Sequence, residues 1–319
     1  MILVTGADGF VGRGVLSMAT RRGLAVRGAT RRLPDSPVEG TNYCTGLELE
    51  TNQGWASALA GVGVVIHTAA RVHRLKDRAA DPLAEYRKVN VAGTISLAQQ
   101  AAAAGVRRFV FLSSVKVHGE RTPEGRPFSI ADSPAPVDTY AISKYEAEMA
   151  LRQLAMQTGL QVVIVRPVMV YGPGVKANFA AMMRWLRRGV PLPLGAIHNQ
   201  RSFVALRNLA DLILTCAEHP SAAGETFLAS DGEDLSTTSL LRRLAAALSV
   251  RAHLIPVPAG ALRIGARALG RPELARRLCD SLRVDIGFTR DRLKWDPPVG
   301  VDDELRATAE NYLLKIGRS

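Results

Sequence analysis

Thr5-Gly6-Ala7-Asp8-Gly9-Phe10-Val11-Gly12 is the stretch that decides the fold. It follows a short apolar run, Ile2–Thr5, that reads as a strand, and it opens an amphipathic run over residues 10–22 that reads as a helix. Gly6 permits a tight turn, Gly9 lets the backbone approach a pyrophosphate, and Gly12 lets helix and strand pack closely. Free N–H groups and the positive end of the helix dipole then attract phosphate. Gly6, Gly9, Phe10, Val11 and Gly12 are therefore expected to cradle a dinucleotide. The second strand, over residues 25–30, decides which one. An acid at its end would bind the ribose 2′-hydroxyl of NAD, whereas arginine accommodates the 2′-phosphate of NADP. Here Arg31-Arg32 follow Thr30, and no acid precedes Asp35. Two guanidiniums can pair with a phosphate bidentately, so NADP(H) is favoured and NAD(H) is the alternative.

Outward from this turn, strand and helix alternate. Val64–His67 reads as a buried strand, 83–104 as a helix stopped by Gly105, and 109–113 as another buried strand. Residues 140–158 read as a helix closed by Gly159, and 162–166 as a strand stopped by Pro167. That alternation is the pattern of an α/β fold, a Rossmann-type doubly wound parallel sheet with helices on both faces. After Pro167 prolines and glycines cluster and the helices shorten. A smaller C-terminal substrate-binding domain is expected there, laid over the carboxyl edge of the sheet where such folds bind ligands. The expected division is 1–170 for the dinucleotide domain and 171–319 for the substrate domain, with part of 197–230 rejoining the first. The run 259–269 is expected to be a packed helix rather than one touching a membrane.

The 319 residues are 47% hydrophobic and 22% charged, a globular balance that excludes a fibre or a disordered chain. Forty-one basic residues against 29 acidic ones give a net charge of +12. The excess lies in scattered arginine doublets, from Arg21-Arg22 to Arg276-Arg277, with no basic tail. A solvated surface that helps attract a small anionic substrate is expected, not nucleic acid. No run approaches the ~20 apolar residues of a membrane span, and Met1 leads directly into a strand, so neither an integral membrane segment nor a signal peptide is expected. Three cysteines, far apart, suit a reducing cytoplasm. The six histidines have no ligand spacing, so no metal is expected, and His67 reads as a core residue.

Tyr140-Ala141-Ile142-Ser143-Lys144 sets a phenol and an ammonium on one face of a helix start. A lysine charge ~4 Å away at an effective dielectric of ~20 contributes roughly 4 kcal/mol, enough to bring a phenol from about 10 to about 7. Ser113-Ser114 ends a buried strand at the ligand-binding edge, where a hydroxyl can hold a substrate oxygen beside the tyrosine.

Together with Val65-Ile66-His67-Thr68-Ala69-Ala70, Asn90-Val91-Ala92-Gly93-Thr94, Val170-Tyr171-Gly172-Pro173-Gly174 and Trp295-Asp296-Pro297, these motifs carry a resemblance along nearly the whole chain. The sequence resembles the extended short-chain dehydrogenases/reductases that act on nucleotide sugars, the NAD(P)-dependent epimerase/dehydratase group. The resemblance implies Ser114, Tyr140 and Lys144 as the catalytic trio. It implies Asn90 behind the cofactor, Ala69 and Ala70 as its wall, and Pro167 and Tyr171 flanking the nicotinamide. Asn178 and Arg201 match positions that contact the sugar nucleotide, and relatives form homodimers through two helices, for which 83–104 and 140–158 are candidates.

The residues after the serine narrow the reaction. The 4,6-dehydratases carry Asp-Glu there; Ser114-Val115-Lys116-Val117-His118-Gly119 carries neither acid, and Lys116 and His118 depart from the epimerases as well. Lys116 is expected to point toward the sugar. Leu47 stands where relatives place an aspartate against adenine, and Asn208 replaces another usual aspartate. The expected activity is NADPH-dependent reduction of UDP-4-keto-6-deoxy-N-acetylglucosamine to UDP-N-acetylquinovosamine for surface polysaccharide. The alternatives are a UDP-glucose or UDP-N-acetylglucosamine 4-epimerase with tightly bound NAD, and a catalytically silent dinucleotide-binding protein.

Overall fold

The computed structural model describes residues 1–51, 53–72 and 81–317. Its central sheet is built from β1 (Ile2–Thr5), β2 (Val26–Ala29), β3 (Asn42–Cys44), β4 (Val64–His67), β5 (Arg108–Leu112) and β6 (Gln161–Pro167), with a seventh strand from later in the chain. After β6 come β7 (Met169–Tyr171), β8 (Arg201–Ala205), β9 (Thr226–Ala229) and β10 (Asp234–Leu235). The seven-stranded order is β3-β2-β1-β4-β5-β6-β9, and every pairing in it is parallel.

Side chains alternate across a strand, so each strand feeds two cores. Ile2, Val4, Val64, Ile66, Val163 and Val165 pack on one face with the helices Phe10–Arg21 and Leu206–Glu218. Leu3, Val65, Val162 and Ile164 pack on the other with Thr94–Ala103 and Thr139–Thr158. Strands buried on both faces read as unbroken apolar runs, as these do. The order reverses between β1 and β4, which opens a crevice at their carboxyl ends.

A second sheet, β10-β8-β7, stands beside that edge. It anchors a third core of Tyr171, Phe179, Phe203, Leu241 and Leu305. The chain returns to the main sheet at β9, which pairs with β6 from Ile164↔Thr226 to Pro167↔Ala229.

Two elements differ from expectation. The helix expected over 83–104 is interrupted: Pro82–Arg87 passes into a π-helical turn, Lys88–Gly93, before Thr94–Ala103. The widened turn brings Asn90 inward and sets Gly93 against Leu49, where a Cβ would lie 2.7 Å from the Leu49 Cβ. The helix Ala259–Ala268, expected to be packed, has no buried residue. Its inner side is only alanine and Leu262, too thin to draw the helix into the core.

Candidate active site

The glycine turn forms as its residue types dictate. Gly6 has φ 63°, which favours glycine. A Cβ on Gly12 would sit 2.1 Å from the Gly6 carbonyl oxygen, and one on Gly6 would meet the Ala69 backbone nitrogen at 2.8 Å. Beneath the turn, Thr5 Oγ1 bonds His67 Nδ1 at 2.7 Å and His67 Nε2 reaches Thr94 Oγ1 at 3.0 Å. Burial pushes the imidazole down to about 3, so His67 is a neutral wedge in the core.

A cleft of about 710 Å³ opens over this cradle. Gly6, Gly9, Phe10, Val11 and Gly12 line its floor, with Ala69 and Ala70 on one wall and Pro167, Val168 and Val170 on another. Arg31 lines it as well, and Arg32 projects to solvent outside it. The Thr30 Oγ1 is buried without a partner at the end of β2, a position suited to a ribose hydroxyl. The backbone cradle and this orphaned hydroxyl fit a dinucleotide.

Ser114, Tyr140 and Lys144 reach the same cleft from two elements. β5 ends just before Ser114, whose Oγ accepts from the Lys116 N–H at 3.2 Å and caps the turn Val115–Val117. Asp138 caps the next helix, accepting from the Ala141 N–H at 2.7 Å, so Tyr140 lies in its first turn and Lys144 one turn on. Lys144 Nζ donates to the Leu112 carbonyl at 2.8 Å and stands 4.5 Å over the Phe111 ring. The Tyr140 ring meets Tyr86 edge-on at 6.3 Å.

The electrostatics correct one expectation. Burial pushes the Tyr140 phenol well above its ordinary value, and Asp138 and Tyr86 push the same way. Burial also lowers Lys144 to about 7, with Glu148 opposing. The lysine therefore does not bring the phenol toward neutrality here. Its ammonium is engaged by a carbonyl and an aromatic face, and the charge that Tyr140 feels is the carboxylate of Asp138.

A second cleft of about 700 Å³ meets the first. Ser114, Tyr140, Pro167 and Val168 line both. Lys116, Asn178 and Arg201 line the second, joined by Arg121, Arg276 and Arg277. Lys116 is turned toward the helix start, where its Nζ pairs with Asp138 and lies 3.2 Å from Glu120. Arg201 donates to the Asp280 carbonyl at 2.9 Å, and burial lowers its pKa.

A matching family model, the NAD dependent epimerase/dehydratase family, covers residues 2–229. The chain belongs to this family. It is 43% identical over 319 residues to a UDP-glucose 4-epimerase of Vibrio cholerae, covering 99% of this chain and 97% of that one. In fold it matches the UDP-glucose 4-epimerase of Thermotoga maritima solved with UDP-glucose, at TM-score 0.77, 22% identity and 99% of each chain. It likewise matches a short-chain dehydrogenase/reductase from Agrobacterium tumefaciens with bound NAD, at TM-score 0.78, 23% identity, 100% of this chain and 98% of that one. The chain is an extended short-chain dehydrogenase/reductase, an NAD(P)-dependent enzyme by family.

Within that family pattern two expected residues stand elsewhere. Tyr171 lines neither cleft: its ring stacks on Phe179 at 5.5 Å and its hydroxyl donates to Asp231 Oδ2 at 2.9 Å. Alternation along β7 explains this, since Val168 and Val170 face the cofactor cleft and Tyr171 faces away. Asn90 acts from beneath rather than on the cleft surface. Its Oδ1 accepts from the Arg71 N–H at 2.8 Å, and its Nδ2 donates to the Arg71 carbonyl at 3.1 Å and to Ser143 Oγ at 3.0 Å. It fastens the cleft wall to the helix that carries Tyr140. Asn208 is buried and bonds Val299 in both directions and Asp231 at 2.8 Å; an aspartate there would face a carboxylate instead.

Sequence reasoning missed the support below the trio. Glu148, one turn beyond Lys144 and fully buried, accepts from Ser113 Oγ at 2.5 Å and from Arg166 at 2.9 and 2.5 Å. Arg166 Nη1 also meets His118 Nε2 at 2.7 Å, and burial with the Arg166 charge lowers that imidazole to about 4. The network ties β5, β6, the Ser114 turn and the helix Thr139–Thr158 together. The signal was an acid at Lys144 + 4 and an arginine inside an apolar strand.

Proposed function

We propose that this enzyme catalyses NADPH-dependent reduction at C4 of a UDP-sugar, taking UDP-4-keto-6-deoxy-N-acetylglucosamine to UDP-N-acetylquinovosamine for bacterial surface polysaccharide. The observation that carries the reading is the junction of the two clefts, whose shared lining includes Ser114 and Tyr140. A proton donor thus stands where a dinucleotide and a second ligand would meet. The nicotinamide, when bound, supplies the hydride to C4. Ser114, whose Oγ already accepts from the Lys116 N–H, is free to donate a hydrogen bond to the C4 oxygen while keeping its proton. Tyr140 delivers the proton that completes the alcohol. Its raised pKa keeps it protonated at neutral pH, the state a reductive acid requires. Lys144 is assigned to the cofactor ribose, and Arg201, Arg276 and Arg277 offer charge to a nucleoside diphosphate.

Arg31 on the cofactor cleft, with no acid ending β2, supports NADP(H). Glu48 and Glu50 line the same cleft, so NADH is the necessary comparison. A cytoplasmic homodimer completes the proposal: Met149 and Met156 are 49% and 83% exposed on one side of the helix Thr139–Thr158, a surface suited to pairing. A second reading, a UDP-glucose 4-epimerase that retains NAD, is favoured by the name of the 43% identical Vibrio relative. The intact trio opposes a catalytically silent role.

The test is oxidation of NADPH by UDP-4-keto-6-deoxy-N-acetylglucosamine, with NADH in parallel. Stoichiometric oxidation favouring NADPH is expected. No oxidation, together with NAD released on denaturation and interconversion of UDP-glucose with UDP-galactose, overturns the reductase for the epimerase.

A further inference from the structure

We propose that the helices Ala259–Ala268 and Pro272–Cys279 dock this enzyme on an anionic phospholipid surface, with the mouth of the second cleft turned toward the lipid. The first helix has no buried residue. Ala259 and Leu262 touch the third core, and on the opposite side of the helix Ile264 is 73% exposed. Leu269 at 78% and Leu274 at 48% continue the apolar surface through the next turn and helix. Isolated exposed apolar residues are ordinary; here three bulky ones fall on consecutive surface elements within residues 264–274.

Charge selects the occupant. Over residues 251–280 six arginines face only two acids, Glu273 and Asp280. Those acids are engaged by Arg276 at 2.9 Å and Arg263 at 2.8 Å; with Arg277 on the second cleft, Arg251, Arg267 and Arg271 remain as excess positive charge outside it. Arg267 stands three residues on from Ile264 and so neighbours it on the helix surface. Apolar tips beside guanidiniums match the boundary of a bilayer, where acyl chains lie beneath anionic headgroups. Among the described residues no helix is long and apolar enough to cross a membrane, so the match is to its surface. Glu273, Arg276 and Arg277 of the second helix line the second cleft, which is why docking would orient its mouth.

Sedimentation of the full chain with vesicles tests this. Vesicles of phosphatidylcholine with phosphatidylglycerol should pellet the protein, pure phosphatidylcholine vesicles should not, and high salt should release it. The Ile264→Ser/Leu269→Ser and Arg267→Gln/Arg271→Gln variants, all outside both clefts, should each bind at least ~10-fold more weakly. A tryptophan at Ile264 (I264W) should shift its emission to the blue on phosphatidylglycerol vesicles alone. The proposal is overturned if wild type does not pellet, if both variants pellet as well as wild type, or if they convert a dimer to a monomer on size exclusion. That last result would assign the face to a second copy of the chain.

Discussion

Lys116 and Asp138 should tune Tyr140 in opposite directions. Asp138 uses one oxygen to cap the helix through the Ala141 N–H at 2.7 Å and the other to pair with Lys116. It is also the leading charge that raises the Tyr140 phenol; Tyr86 packs edge-on against the same ring, and Lys144 lies one turn along the helix. Removing the Lys116 charge leaves Asp138 less neutralised, so Lys116→Met raises the phenol further. Asp138→Asn removes the carboxylate yet keeps a residue that caps as well as aspartate, so the helix stays and the phenol falls. A neighbouring charge moves a pKa by roughly 1 to 3 units. The Lys116 side chain is 34% exposed and therefore screened, so about half a unit upward is expected for Lys116→Met and about one unit downward for Asp138→Asn. On the proposed reductase reading Tyr140 is the proton donor, so turnover falls as pH rises through its pKa. The alkaline limb of kcat against pH, followed by NADPH absorbance at saturating substrate, should move up in Lys116→Met and down in Asp138→Asn. Shifts of the same sign, or a limb that stays in place while Lys116→Met raises KM alone, would refute the reasoning and leave Lys116 as a substrate contact.

Three further perturbations have clear signs. Glu148→Gln removes the charge that compensates the buried Arg166 and should cost about 3 to 5 kcal/mol in urea unfolding. Gly12→Ala places a methyl group 2.1 Å from the Gly6 carbonyl oxygen, so saturable NADPH binding by fluorescence titration should be lost. Lys144→Met should abolish turnover and stabilise the fold near neutral pH. The lysine is lowered from 10.5 to about 7 by burial, so between those values the unfolded chain binds the extra proton and wild-type stability rises with pH. The variant's advantage in denaturant titrations should therefore shrink by up to ~1.4 kcal/mol per pH unit across that window.

The parallel sheet was legible because its signals are local. Glycine spacing after an apolar run, and apolar runs stopped by Gly105, Gly159 and Pro167, depend on neighbours a few residues away. The trio was legible for the same reason, since Tyr140 and Lys144 share one helix and Ser114 ends one strand. β3 (Asn42–Cys44) carries little local signal of its own: it is short, polar at its first residue, and placed by its pairing to β2. The π-helical turn was invisible because its cause, the bonds from Asn90 to Arg71 and Ser143, spans distances the pattern of 83–104 does not contain.

What the sequence hid at the site is long-range charge. The Tyr–Lys spacing suggested a phenol tuned downward, and that inference fails because ionisation depends on everything that surrounds a group. Burial, Asp138 and Tyr86 act on Tyr140 together, and Leu112 and Phe111 occupy the lysine. The arginine doublets also divide once folded, including Arg31-Arg32, read as a phosphate-binding pair, of which only Arg31 lines the cofactor cleft. Arg276 and Arg277 reach the second cleft beside Arg121 and Arg201, residues more than seventy positions away from one another across three chain segments, while Arg32 stays in solvent. A doublet carries the same local information in both cases. Only the return of the chain past β8 to the edge of the sheet carries Arg276 and Arg277 to the second cleft, so composition could report the excess charge but not its placement.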